Sequence, residues 1–159
     1  MTIQLAQPSD KEEILKLYQS QLGKKYCPWN EYYPAVNEIE FDLSRKSLFV
    51  MKHKNKIIAA ISIDDDDNVT NLPYWTPKLQ PGAELSRLAV DLDFQSQGIA
   101  KKMIIHGMNE IKNRGFKSLH FLVNKTNLKA LKCYEAFGFN KVGECELYDQ
   151  PMLCYEKEL

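Results

Sequence analysis

Gln95-Ser96-Gln97-Gly98-Ile99-Ala100 stands between a stretch that reads as a strand, Glu84-Leu85-Ser86-Arg87-Leu88-Ala89-Val90, and one that reads as an amphipathic helix, 99–114, closed by Gly115. A turn of small residues that opens a helix presents backbone N–H groups at the positive end of the helix dipole. That arrangement suits a phosphate or pyrophosphate. Gly98 lets the backbone approach an anion with no Cβ in the way, and Ala100 keeps the next contact small.

Working outward, residues 2–6 read as a strand broken by Pro8-Ser9-Asp10. Ser9-x-x-Glu12 has the pattern of a capping box, and Ile14, Leu17, Tyr18 and Leu22 follow at helical spacing up to Gly23. Residues 24–34 form an aromatic loop, and Pro34 can start a second helix with Val36, Ile39 and Leu43 on one face. Residues 48–51 and 57–63 read as a hairpin around His53-Lys54-Asn55-Lys56. A long connection, 64–80, carries Pro73 and Pro77; loops of that length inside a domain are often functional. After the 99–114 helix come a strand at 117–123 and a helix capped within 124–127 with Leu128, Leu131, Tyr134 and Phe137 inward. Gly138 closes that helix, and strands at 139–147 and 152–157 follow. The order β-α-α-β-β-β-α-β-α-β-β, with no repeat or linker, predicts one α/β domain over 1–159.

The 159 residues carry 21 Lys plus Arg and 21 Asp plus Glu, so the net charge is zero. That argues against a broad nucleic-acid footprint and against attraction to anionic membranes. A chain of this size buries roughly 70% of the surface its unfolded form exposes and needs no staples. Cys27, Cys133, Cys145 and Cys154 form no C-x-x-C pair, and His53, His106 and His120 have no ligand spacing, so no metal is expected. The start has no signal-peptide pattern and no apolar run approaches a membrane span, which predicts a cytoplasmic protein with reduced thiols.

The pattern Q-x-x-G-x-A at Gln95–Ala100 resembles the acetyl-coenzyme A loop of GNAT-type N-acetyltransferases. The other motifs of that family fall in the matching slots. Leu88-Ala89-Val90 resembles its pantetheine-binding strand, and Asn127-x-x-Ala130-x-x-x-Tyr134-x-x-x-Gly138-Phe139 resembles its second signature. Asn127, Ala130 and Tyr134 recur at i, i+3 and i+7 and so share a helix face. The resemblance covers essentially the whole chain. It implies a mixed, mostly antiparallel central sheet flanked by helices, acetyl-CoA as cofactor, and cofactor contacts from Leu88, Ala89, Val90, Gln95, Ser96, Gln97, Gly98, Ile99, Ala100, Lys101, Asn127, Ala130 and Tyr134. Gln95 stands where many members have Arg, so pyrophosphate charge falls mostly to backbone N–H groups.

Acetyl transfer from a thioester to an amine needs a deprotonated amine, since an alkylammonium has a pKa of about 10.4. It needs a donor to the oxyanion and a proton or hydrogen bond for the departing thiolate. Glu84, six residues before Val90 where the family often carries a base, is the candidate for the first, directly or through water. A backbone N–H near Leu88 is the candidate donor. Tyr134 is the candidate acid: a phenol near ~10 facing a thiol near ~8.5 is about 2 kcal/mol uphill for full transfer. Strand alternation puts Glu84, Ser86, Leu88 and Val90 on one face if no bulge intervenes. Direct attack in a ternary complex is expected rather than a Cys133 ping-pong route.

Tyr26, Trp29, Tyr32 and Tyr33 can form an aromatic wall for an apolar or cationic acceptor, or pack their loop onto the core. Asp64-Asp65-Asp66-Asp67 reads as a solvated turn, with electrostatic steering of a polycation as the alternative. A small-molecule amine is the first expectation for the acceptor, a protein N-terminus or lysine the second. A non-catalytic acyl-CoA sensor is the competing class of function, and a homodimer is left open.

Overall fold

In the computed structural model, which describes residues 1–159 except Tyr26, Asp65 and Tyr148, seven strands, β1 (Thr2–Leu5), β2 (Leu48–His53), β3 (Lys56–Asp64), β4 (Gly82–Val90), β5 (Ser118–Asn124), β6 (Asn140–Leu147) and β7 (Gln150–Glu158), form one sheet in the order β1-β2-β3-β4-β5-β7-β6. The β1–β2, β2–β3, β5–β7 and β6–β7 pairs are antiparallel and β4–β5 is parallel. The mixed, mostly antiparallel sheet with flanking helices matches the sequence expectation, as does the element order. A short helix at Asp67–Thr70 is added inside the long connection. Among the described residues no helix is long and apolar enough to cross a membrane.

The chain forms two compact units, Met1–Asp64 with Ser86–Gly107, and Asp65–Leu85 with Met108–Leu159. The first holds β1 (Thr2–Leu5), α1 (Lys11–Ser20), α2 (Val36–Ser44), β2 (Leu48–His53) and β3 (Lys56–Asp64). Its core joins Ile14, Leu17 and Tyr18 of α1 to Ile39 of α2, Leu48 and Val50 of β2, and Ile57 and Ala60 of β3. The unbroken apolar run of β3 fits a strand buried throughout, and all its residues after Lys56 are buried. Lys54 and Asn55 both take positive φ, the backbone of a two-residue hairpin turn that matches the strand twist. The entry to α1 differs from the capping box expected at Ser9 and Glu12. A 3-10 turn, Pro8–Asp10, precedes the helix, and the Gln7 N–H donates to Asp10 Oδ2 at 2.8 Å.

The second unit holds α3 (Asp67–Thr70), β5 (Ser118–Asn124), α5 (Leu128–Ala136), β6 (Asn140–Leu147) and β7 (Gln150–Glu158). β4 (Gly82–Val90) and α4 (Ile99–Asn113) each contribute residues to both units. Trp75, in the long connection, packs with Val69 and Cys154 and donates its indole N–H to the Val69 carbonyl at 2.7 Å. On α5, Leu131, Tyr134 and Phe137 are half-buried as the helical spacing predicts. Leu128, in the first turn, is exposed instead.

Candidate functional site

In the first unit, β4 ends at Val90 and the chain passes through a 3-10 turn, Leu92–Phe94, into Gln95. Ser96 lies at φ 60° and Gly98 at φ 79°, so left-handed residues alternate along the four-residue turn before α4. Such alternation turns successive backbone N–H groups toward one concavity, a shape that cradles anions. Ser96, Gln97 and Gly98 are exposed, Ile99 is buried as the helix anchor, and a Cβ built on Gly98 would meet nothing within 4 Å. The turn is therefore open at the position where the sequence requires close approach. Ala100 is half-buried and Lys101 exposed.

The Gln95 side chain has a different task from the one its position suggests. Its carboxamide donates to the Val90 carbonyl at 3.1 Å, and Gln21 Nε2 donates to the same oxygen at 3.0 Å. Both fix the end of the strand. Gln21, just past α1, carries no motif, and only the fold brings it to Val90. Ala89 and Val90 are buried and Leu88 is half-buried.

Arg87, one residue before Leu88, takes φ 50° within β4. The alternation assumed from Glu84 to Val90 is interrupted there, so residues on either side of Arg87 do not follow one face. The Arg87 guanidinium is buried against Asp42 Oδ2 at 3.0 Å, Asp42 Oδ1 at 2.9 Å and Asp64 Oδ2 at 2.9 Å, and donates to the Tyr33 hydroxyl at 3.0 Å. Burial works against its charge, but Asp42 foremost, with Tyr33 and Asp64 behind it, outweighs that effect and the guanidinium is held more firmly protonated. Asp42 is fully buried and also accepts from Ser62 Oγ at 2.7 Å and Arg45 Nη2 at 3.2 Å.

This cluster divides the acidic run. Asp64 is a buried partner of Arg87 rather than part of a solvated turn, Asp66 caps α3 by accepting from the Asn68 N–H at 3.0 Å, and Asp65 lies outside the described residues. The aromatic loop is divided as well. Trp29 meets Tyr18 edge-on, with ring centroids 5.4 Å apart, and packs on the core; Tyr33 is tied to Arg87; Tyr32 is exposed; Tyr26 lies outside the described residues. Trp29, Tyr32 and Tyr33 thus have different surroundings: the core, solvent and the Arg87 guanidinium.

In the second unit, the parallel pairing of β4 with β5 covers Gly82, Ala83 and Glu84 against Ser118, Leu119 and His120. His120 in turn faces Glu156 of β7. Directly paired residues point to the same face of a sheet, so Glu84, His120 and Glu156 form one buried row. Trp75 stacks on His120 with centroids 4.5 Å apart, and the Thr76 N–H and hydroxyl donate to the Glu156 carboxylate at 2.9 and 2.6 Å. The long connection thus covers this face. Phe121, the next residue, points to the opposite face, and there the Tyr134 ring lies 4.1 Å from it. The candidate base and the candidate acid therefore stand on opposite faces of the sheet.

Tyr134 also meets Phe139 edge-on at 5.9 Å. Burial, with a smaller contribution from Cys133, pushes its phenol up to about 12. Asn127 caps α5 by accepting from the Ala130 N–H at 3.1 Å, so its cap role is filled and its carboxamide nitrogen is not used in that bond. Ala130 is half-buried on the same helix.

His120 is fully buried, neither ring nitrogen has a hydrogen-bond partner among the described residues, and burial lowers its pKa to about 4. An imidazole that is neutral when folded and has an unfolded pKa of about 6.5 favours the folded state above that value. The contribution is lost as pH falls from about 6.5 toward 4, on the order of 3 kcal/mol in all. A Tm series over that window should fall with acid, and His120→Gln should flatten the slope; an equal slope in both proteins would remove His120 as the cause. Gly82 leaves the room His120 occupies, since a Cβ there would lie 2.8 Å from Nδ1 and 2.6 Å from Ser118 Oγ.

Residues 12–139 match the model of the Acetyltransferase (GNAT) family. The chain belongs to that family. This GNAT chain is 37% identical over 113 residues to the ribosomal protein bS18-alanine N-acetyltransferase of Salmonella typhimurium, covering 68% of this chain and 74% of that one. It is 42% identical over 60 residues to the like-named protein of Haemophilus ducreyi, a match to 38% of this chain that spans only 41% of that relative's length. The structure of yncA from Salmonella typhimurium, determined with its cofactor acetyl-CoA, has a TM-score of 0.78 to it at 15% identity, over 100% of this chain and 94% of that one. At that identity the likeness shows a shared fold.

Proposed function

We propose that this GNAT chain transfers an acetyl group from acetyl-CoA to a primary amine by direct attack in a ternary complex. The observation that carries the reading is the open, twice left-handed turn Gln95–Gly98 at the start of a 15-residue helix. The family match and the acetyl-CoA-bound structural relative support it. Acetyl-CoA supplies the thioester carbon that an amine can attack. The N–H groups of Ser96 to Ala100 hold the pyrophosphate, with Lys101 beside them, and the backbone of Leu88–Val90 and the α5 face of Asn127 and Ala130 hold the pantetheine arm. Glu84 takes the amine's proton, directly or through water, while the Leu88 N–H donates to the acyl oxygen. Tyr134 donates to the departing sulfur.

The acceptor is where the relatives add most. A small-molecule amine is the simplest expectation from the sequence. Two relatives, however, are named for an alanine of a ribosomal protein, and that favours the α-amine of a protein N-terminus. Calorimetry with acetyl-CoA, followed by thiol release against Ala-initiated peptides and a panel of small amines, tests the reading. Saturable binding with release dependent on an Ala-initiated peptide is the expected result. Release with small amines alone restores the small-molecule acceptor. Binding without release from any amine supports an acyl-CoA sensor, and no binding overturns the assignment of the turn.

A further inference from the structure

We propose that Arg87 is a positioning residue whose buried ion-pair network sets the backbone from which the Leu88 N–H is presented to the acyl oxygen. The inference rests on the acetyl-transfer reading above.

A bulky residue at φ 50° inside a strand is strained, because its Cβ crowds its own backbone. Such strain persists only where the surroundings over-determine it. Here they do. Three separate elements grip the guanidinium: Asp42 of α2 through both carboxylate oxygens, Asp64 at the end of β3, and Tyr33 from the loop before α2. Asp42 is itself held by Ser62 of β3 and Arg45. Two carboxylates face two guanidinium groups, so the buried charges balance, and the Asp42–Arg87 contact has the two-pronged geometry that fixes orientation as well as distance.

The backbone consequence follows from the chain itself. The peptide joining Arg87 to Leu88 carries the Leu88 N–H, and its plane is set by the dihedrals of those two residues. A left-handed Arg87 turns that peptide out of the regular strand alternation. Releasing the guanidinium removes what holds the turn, and residue 87 then relaxes toward extended backbone, carrying the Leu88 N–H with it. A misplacement of about 1 Å at a reacting centre can cost on the order of 100-fold in rate. The pyrophosphate is assigned separate N–H groups, those of Ser96 to Ala100, so most of the hold on the cofactor does not pass through this one peptide.

Asp64→Asn and Tyr33→Phe test the idea without removing the fully buried Asp42. Two readouts are needed. In the ligand-free protein, the three-bond HN–Hα coupling of Arg87 reports its φ. In the assay, kcat is separated from KM for acetyl-CoA and for the amine. Expected for Asp64→Asn is a coupling moved toward the extended range and a kcat lowered about 30- to 100-fold, with KM for both substrates within threefold. Tyr33→Phe, whose partly exposed ring puts folding at little risk, should shift the same way with a kcat loss of about three- to tenfold.

Unchanged coupling in both variants overturns the proposal whatever the rates. So does a moved coupling with an unchanged kcat. A wild-type protein that binds acetyl-CoA yet turns over no amine would end the acetyl-transfer reading. The coupling would still decide whether the network sets the Arg87 backbone.

Discussion

Tyr134→Phe should lower kcat about 100-fold and leave the Kd for acetyl-CoA within threefold. The substitution removes one oxygen and keeps the ring. The packing on Phe121 at 4.1 Å and Phe139 at 5.9 Å is retained. The Tm should therefore move little. What the hydroxyl does in the reaction is constrained by its acidity. Its phenol is pushed up to about 12 by burial, against about 8.5 for a free thiol, so complete proton transfer to the thiolate is roughly 5 kcal/mol uphill. The sequence alone, with an unshifted phenol, put that gap nearer 2 kcal/mol. The larger gap makes Tyr134 a hydrogen-bond donor to the developing charge on sulfur rather than a group that gives its proton up. A hydrogen bond to a charged group contributes about 1.5–3 kcal/mol, which corresponds to roughly 10- to 150-fold in rate. The phenol also stays protonated through neutral pH, so it adds no limb to the pH–rate profile there. Steady-state kinetics with calorimetry on the same sample checks all of this. Undiminished kcat would remove Tyr134 from the mechanism.

What the sequence made legible was chemistry carried by residue type at fixed local spacing. Gly98 announces a left-handed turn by having no side chain, and it sits at φ 79°. Asn127, Ala130 and Tyr134 share a helix face because a helix has 3.6 residues per turn, and Asn127 caps that helix as its type suggests. The hairpin at Lys54-Asn55 and the closure of α5 before Gly138 were readable for the same reason. What escaped depended on partners far along the chain. Asp64 looked like one of four solvated acids, yet its partner Arg87 is distant in sequence and is brought to it by β3 and β4. Trp29 belongs to the core because Tyr18 of α1 is there to meet it. Gln95 and Gln21 converge on one carbonyl that neither identifies. The opposition of Glu84 and Tyr134 across the sheet needed the β4–β5 register, which one slip would invert. The left-handed Arg87 has no signature at all, since its residue type argues against it.

Gly98→Val should weaken acetyl-CoA binding by about 30-fold or more, and a series at this position separates two causes. A Cβ on Gly98 would meet nothing within 4 Å, so the substitution creates no clash with the protein. Two effects remain. The φ of 79° is one that a β-branched side chain resists, so Val would pull the turn out of the shape that gathers its N–H groups. Alternatively the turn holds, and the new side chain occupies the space through which a pyrophosphate approaches. Asn tolerates left-handed backbone far better than Val, while Ala adds the smallest side chain but resists that backbone. If conformation decides, Asn should keep most of the affinity, and Ala should lose more than Asn despite being smaller. If occupied space decides, the order becomes Ala, then Asn and Val together. Calorimetric titration of the four proteins with acetyl-CoA reads the order directly, and thermal melts report any strain. The open space around Gly98 and its position at the mouth of α4 lead us to expect the second order, with Ala nearest to wild type. Equal affinity in all four would mean that the cofactor's pyrophosphate lies elsewhere.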